Sequence, residues 1–226
     1  MAFKKKIIIL YIIFLNKFTG SISKMGLLSG KKGLIMGVAN ERSIAWGIAK
    51  ACNSQGAKLA FTYQGEALKK RIVPLAESVG SNFIFECDVA DQNAIKETFA
   101  KIKEELNNID FVVHAIGFSD KNELRGRYVD TSKQNFLATM DISVYSFTAV
   151  TQEAEKIMPQ GGSILTLTYY GSEKVLPHYN RYGRCKSGVR SVRSIYGDGF
   201  RQKKYKGECC KCRHSQDISC IWNWGF

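Results

Sequence analysis

Cysteine is scarce where the chain is most regular: between residues 25 and 180 only Cys52 and Cys87 occur, while the other five of seven (Cys185, Cys209, Cys210, Cys212, Cys220) fall after residue 180. Two isolated thiols exclude a disulfide scaffold for that stretch and suit a reducing compartment. A membrane-length apolar run is missing from the leading segment, because Ile7–Leu15 behind Lys4–Lys6 is too short to span a bilayer. Acidic residues are absent from residues 1–24, which carry five lysines, and sparse in 181–226, with 11 Lys+Arg against 3 Asp+Glu. Residues 25–180 carry 17 of each sign, so the formal net charge of +13 belongs to the two ends. A balanced middle gives no basic face on which to expect nucleic acid.

At 226 residues the chain has room for one α/β domain with a large core. Its first segment resembles a secretory signal, with a charged start, a short apolar run and a small-residue site at Ser21-Ile22-Ser23. The domain behind it reads as a cytosolic nucleotide-binding unit that opens with its own Met25. Residues 1–24 are therefore expected to come from a start placed too far upstream, leaving a cytoplasmic protein that begins at Met25.

The organising stretch is Gly30–Cys52. Leu34–Met36 is a short apolar strand that ends at Gly37, a loop of small and polar residues follows, and helical spacing then begins with Ile44, Ile48, Ala51 and Cys52 on one face. A helix N-terminus offers free N–H groups to a phosphate, and glycine lets a pyrophosphate approach the backbone. Gly37 is expected to make the turn and Gly47 to let the helix pack on the sheet. The usual G-x-G-x-x-G spacing is absent, so the motif alone is also compatible with a plain turn.

Further strands are expected at Lys58–Tyr63, Phe83–Cys87, Phe111–Ile116 and Gly161–Tyr169. Between them the stripes Leu68/Ile72/Leu75/Val79 and Ile95/Phe99/Ile102/Leu106 mark helices, and Asp141–Thr148 continues a mainly apolar helix. Strand alternating with helix at this pace predicts an α/β fold, a doubly wound, Rossmann-like parallel sheet. Ligands of such sheets sit beyond the carboxyl ends of the strands, which singles out Gly37, Gln64, Asp88 with Val89, and Ile116 with Gly117. Asp88 suits either an adenine contact or a helix N-cap. Tyr63-Gln64 ends the second strand with no acid for ribose hydroxyls and no Arg for a 2′-phosphate, which biases cofactor choice to NADH. Tyr169 and Tyr179 are either site residues or amphipathic rim residues.

With these residues in view, Met25–Asn180 closely resembles the NADH-dependent enoyl-acyl-carrier-protein reductases of the short-chain dehydrogenase/reductase superfamily. The matching runs are Met-Gly-Leu-Leu-Ser-Gly-Lys at 25–31, Ser-Ile-Ala-Trp-Gly-Ile-Ala at 43–49, Ala-Phe-Thr-Tyr-Gln at 60–64, His-Ala-Ile-Gly-Phe at 114–118 and Leu-Thr-Leu-Thr-Tyr at 165–169. The resemblance implies that NADH contacts Gly37, Ser43, Ile44, Gln64, Asp88, Val89 and Ile116, with the acyl substrate near Ser119. It implies hydride transfer to the β-carbon of a trans-2-enoyl thioester in fatty-acid elongation, with Tyr179 as hydroxyl donor to the developing enolate and Tyr169 beside it. Such a donor is worth roughly 3 kcal/mol. Lys186, seven residues after Tyr179, would hold the nicotinamide ribose. It further implies an acyl-carrier-protein partner, a homotetramer, and neither a membrane nor nucleic acid as partner.

The resemblance breaks after Asn180. Where the family continues roughly Val-Met-Gly-Val-Ala-Lys-Ala, this chain has Arg-Tyr-Gly-Arg-Cys-Lys-Ser at 181–187. Codons chosen for those residues, read one base over, encode the family's run. Codons for Lys204–Arg213 read the same way give Asn-Ile-Arg-Val-Asn-Ala-Val-Ser-Ala. A frameshift near codon 181 is therefore expected, dividing the chain into an extension (1–24), an NAD-binding domain (25–180) and an out-of-frame, disordered tail (181–226). The frameshift accounts for the zinc-like Cys209, Cys210, Cys212 and His214, whose spacing fits no standard site, so no metal is expected. Two other readings remain: a carbonyl (3-oxoacyl) reductase using Tyr182 and Lys186, and a non-enzymatic basic-tailed binder.

Overall fold

Both faces of the central strands are apolar, and that dictates a sheet covered by helices on each side. A computed structural model describes residues 26–123, 127–168, 187–188, 207–209, 218–220 and 222–224. Strands β1 (Lys32–Met36), β2 (Lys58–Tyr63), β3 (Phe83–Glu86), β4 (Phe111–His114) and β5 (Ser163–Thr168) form a parallel sheet in the order β3-β2-β1-β4-β5. Ile35 of β1 is in register with Phe61 of β2 on one side and Val113 of β4 on the other. The strand order reverses at β1, so the switch point lies between β1 and β4, where open α/β sheets bind ligands.

Helices α1 (Ile44–Ser54) and α2 (Gly65–Ser78) cover one face, packing Trp46, Ala49, Ile72 and Ala76 onto Ile35, Leu59, Phe61, Val113 and Leu165. On the other face lie α3 (Gln92–Leu106) and the end of a long helical run: α4 (Lys133–Met140), one π-helical turn (Asp141–Tyr145) and α5 (Ser146–Lys156). Ile95, Phe99, Ile102 and Leu106 of α3, all expected as core, meet Phe147, Val150 and Ala154 of α5 over Leu34, Met36, Val112 and Ile164. Successive strand residues alternate between these two cores, which explains why the strands read as unbroken apolar runs.

The structure corrects the first helix. Its buried residues are Ala45, Trp46 and Ala49, whereas Ile44 is 41% exposed and Ala51 is exposed; Ile48 and Cys52 only flank the core. The Trp46 indole decides the rotation, because its ring packs against Phe61 at 6.2 Å between centroids, and a large aromatic outweighs two small side chains in buried area. Gly47 consequently faces outward, and a Cβ there would meet nothing within 4 Å. It does not mediate packing on the sheet. Gly47→Ala in the chain with its frame restored should raise stability by about 0.5–1 kcal/mol, the ordinary helix-interior difference, read as a higher thermal midpoint.

The ends of β3 and β4 fall one to two residues earlier than expected, because Cys87 and Ala115–Ile116 leave the strands to enter the cleft described below. Segment 181–226 contributes β6 (Gly207–Cys209), β7 (Ile218–Cys220) and β8 (Trp222–Trp224). β7 lies antiparallel against Thr166–Thr168 of β5, the sixth position of an otherwise parallel sheet, and β6 pairs with β8.

Candidate functional site

Four strand ends open into one cleft of about 330 Å³. After β1 it is lined by Gly37, Val38 and Ala39; at the end of β2 by Thr62, Tyr63 and Gln64, with Leu68 of α2; after β3 by Cys87, Asp88 and Val89; after β4 by Ala115, Ile116, Gly117 and Phe118. Ile142, from the π-helical turn, completes it. Five expected contacts thus meet here: Gly37, Gln64, Asp88, Val89 and Ile116.

Gly37 has φ +86°, in the left-handed region, and the backbone of Ala115 passes close against it. A side chain at 37 would collide with the Ala115 carbonyl, and glycine is what lets β1 and β4 stay paired while the chain turns out of the sheet. Asp88 is not a helix N-cap. That role belongs to Asp91, whose carboxylate accepts from Asn93 N at 2.8 Å, while Asp88 Oδ1 accepts from Ala90 N at 2.9 Å in a local turn. The alternative for Asp88 falls because α3 starts at Gln92 with its cap three residues beyond Asp88, leaving this residue in the cleft lining.

Ser43 and Ile44 lie outside the cleft lining. Ser43 caps α1, its Oγ accepting from Trp46 N at 3.4 Å and donating to Asn40 O at 2.7 Å. Ser119 sits next to the lining residue Phe118 and hydrogen-bonds Thr139 Oγ1 at 3.1 Å. Tyr169, Tyr179 and Lys186 lie outside the described residues, as do Tyr182, Cys212 and His214. Sequence reasoning missed Phe118 and Ile142 as lining residues. It also missed three polar residues of the long helix, Asn135, Thr139 and Ser143, buried behind the β4–α4 loop. Their spacing of four was a signal: polar groups recurring on one helical face mark a polar inner stripe.

Burial controls the two thiols. It pushes Cys52 up to about 11, and it also raises Cys87, helped by the Asp88 and Asp91 carboxylates and opposed by a Thr98 hydrogen bond. A thiol raised in the folded state favours folding while protonated, and that contribution is lost as pH climbs from the ordinary thiol value of 9.0 towards 11. In the frame-restored chain the stability of the parent should therefore fall faster than that of Cys52→Ala across this range. Urea titrations at pH 8 and pH 10.5 check it; equal falls would remove Cys52 from the account.

The model of the enoyl-(acyl carrier protein) reductase family matches residues 37–202. The chain is 59% identical over 174 residues to the NADH enoyl-[acyl-carrier-protein] reductase 1 of Rhizobium meliloti, covering 76% of this chain and 64% of that protein. It belongs to the enoyl-(acyl carrier protein) reductase family. Among solved structures, the Anaplasma phagocytophilum enoyl-(acyl-carrier-protein) reductase in complex with NAD superposes with a TM-score of 0.75 at 54% identity, covering 81% of this chain and 71% of that one. The Aquifex aeolicus enoyl-[acyl-carrier-protein] reductase (NADH) gives 0.77 at 44% identity, with 78% and 70% covered. The chain spans less than two thirds of the length of the R. meliloti relative.

The residues present fit the dinucleotide that the reductase family implies. Gly37 brings the backbone of the turn after β1 to the cleft wall without a side chain, and the cleft combines apolar walls at Val38, Val89 and Ile116 with polar groups at Gln64 and Asp88.

Proposed function

We propose that the intact gene encodes an NADH-dependent enoyl-acyl-carrier-protein reductase and that this chain is its frameshifted, inactive product. The observation that carries the reading is the convergence of Gly37, Gln64, Asp88, Val89 and Ile116, four strand ends apart in sequence, on one cleft at the switch point of the sheet. Fold alone would not choose a reaction; the similarity to named enoyl reductases does. Asp88 and Val89 hold the adenine end, Gln64 borders its ribose, and Gly37 with Ser43 and Ile44 faces the phosphates. NADH supplies the hydride when bound. Tyr179, with Tyr169 beside it, donates a hydrogen bond to the thioester oxygen as charge develops there, Lys186 fixes the nicotinamide ribose, and the acyl chain runs past Ser119.

The same reading takes residues 25–180 as the reductase domain, a cytoplasmic start at Met25, acyl carrier protein as partner and a homotetramer. No described helix is long and apolar enough to cross a membrane. The exposed apolar residues Phe136, Leu137 and Tyr145 along α4 and the π-helical turn support association of copies. Restoring the frame at codon 181 and assaying a crotonyl thioester against a 3-oxoacyl thioester with NADH tests the activity. Turnover of the crotonyl substrate is expected; turnover of the 3-oxoacyl substrate alone would give the carbonyl-reductase reading. Mass spectrometry of the native N-terminus should find Met25 or Gly26, and a mature end near Ser23 would contradict that start.

A further inference from the structure

The long helix presents three buried polar side chains, each four residues apart: Asn135 (7% exposed), Thr139 (3%) and Ser143 (1%). Each bonds the loop after β4, and the loop residues run backwards as the helix runs forwards. Asn135 Oδ1 accepts from Asp120 N at 3.1 Å, Thr139 Oγ1 meets Ser119 Oγ at 3.1 Å, and Ser143 Oγ accepts from Phe118 N at 2.9 Å while donating to Phe118 O at 3.0 Å. Ser143 thus satisfies both backbone groups of one residue, as a neighbouring strand would. It stands in the π-helical turn, and the change of helical phase there accompanies the passage from the loop contacts to the Ser146–His114 contact at 2.9 Å.

Proton bookkeeping orients the Asn135 amide. Asp120 N can only donate and the Glu123 carboxylate only accepts, so Asn135 turns its Oδ1 to Asp120 and its Nδ2 to Glu123 Oε2, at 3.2 Å. Thr139 has one hydroxyl proton for two acceptors, Ser119 Oγ at 3.1 Å and Asn135 Oδ1 at 3.2 Å, and so ties the loop to the helix through either.

We propose that Asn135, Thr139 and Ser143 are positioning residues that set the wall Phe118–Asp120, and that through this wall they set the binding of the acyl substrate past Ser119. The inference rests on the enoyl-reductase reading of the cleft. It differs from a general packing role in what should change. Phe118 lines the cleft and Ser119 neighbours it, but neither is assigned to the reacting atoms, so loosening them should weaken substrate binding rather than the chemical step.

The experiment uses the full-length chain with its frame restored, as parent, Ser143→Ala, Thr139→Val and Thr139→Ser. Amide hydrogen exchange at Phe118 should be at least about tenfold faster in Ser143→Ala, the scale of one lost buried hydrogen bond. KM for the crotonyl thioester of acyl carrier protein should rise about tenfold in Ser143→Ala and Thr139→Val, with kcat and the NADH Kd within about twofold of the parent and Thr139→Ser close to the parent throughout. KM unchanged in both variants, NADH Kd and KM worsening together, or Thr139→Ser behaving like Thr139→Val would each overturn the proposal. If the parent reduces no enoyl thioester, the functional reading fails by itself. Exchange then still decides the positioning row: an unchanged Phe118 amide in Ser143→Ala overturns it, and faster exchange retains its loop-setting half while the substrate half falls with the reading.

Discussion

Expressed with the sequence as written, the chain should accumulate as insoluble or protease-sensitive material without tight NADH binding, whereas the chain with its frame restored should be soluble and active. The expected cause is the proposed frameshift near codon 181. The family resemblance places beyond it the remainder of the active-site helix, the next strand of the sheet, and the loop over the nicotinamide and pyrophosphate. The position beside β5 is instead filled by β7, three residues long and antiparallel, against only Thr166–Thr168 of a six-residue strand. Three residue pairs are a short pairing for a six-residue strand, and a poorly matched sheet edge invites association with other chains. Gly197, Gly199 and the lysines of 201–206 supply no helical apolar stripe. A domain stable by about 5–15 kcal/mol does not survive the loss of several core elements. Parallel expression, sedimentation of the lysate and NADH fluorescence titration check this. A soluble chain as written that reduces enoyl thioesters at the rate of the restored one would defeat it.

On the proposed frameshift, Tyr169, Tyr179 and Lys186 are present in the sequence but are followed by a tail that differs from the family's. Tyr169 directly follows Thr168, whose Oγ1 is buried without a hydrogen-bond partner among the described residues. A buried hydroxyl left unsatisfied costs about 1–3 kcal/mol. It lies at the strand end paired with Ile218.

Where one interaction dominates, the sequence was legible. Ile95, Phe99, Ile102 and Leu106 repeat with helical period and are all buried, because α3 faces a flat apolar sheet and nothing competes with that stripe. The strand ends at Gly37, Gln64, Asp88 and Ile116 were found for a comparable reason: a parallel sheet sends every strand's carboxyl end to the same side. Helix α1 was misread because its stripe was judged by residue type alone. Its phase follows the volume of Trp46, and rotating the helix to bury the indole exposes Ile44 and Gly47. Asn135, Thr139 and Ser143 were passed over because polar residues in a helix ordinarily face water, and their loop partners at 118–120 lie far away in helical register. The π-helical turn has no local composition signal; Ser143, which bonds Phe118 of the loop, stands within it.

Replacing Gly37 by alanine in the frame-restored chain should cost more than any other single methyl group in the cleft. At φ +86° an L-residue is already disfavoured by about 1–2 kcal/mol. The added Cβ would lie 2.6 Å from the Ala115 carbonyl carbon and 3.2 Å from Ile116 N, and it would overlap the Ala115 oxygen more deeply. These neighbours are backbone, so no side chain can swing aside. The backbone cannot retreat cheaply either, because Met36 is paired in register with His114 and accepts from Ala115 N at 3.2 Å. Adding a typical overpacking penalty of about 1–3 kcal/mol gives a loss of about 2–5 kcal/mol, or a fall in the thermal midpoint of roughly 5–15 °C for a domain of this size. The same shift separates β1 from β4 where the pyrophosphate is proposed to lie, so NADH affinity should drop by about a hundredfold or more, equivalent to about 2.7 kcal/mol. Gly47→Ala serves as the opposite-signed control in one calorimetry and fluorescence series. If Gly37→Ala kept its midpoint within about 1 °C of the parent and bound NADH equally well, the turn after β1 would not be the phosphate site, and the cleft would need another occupant.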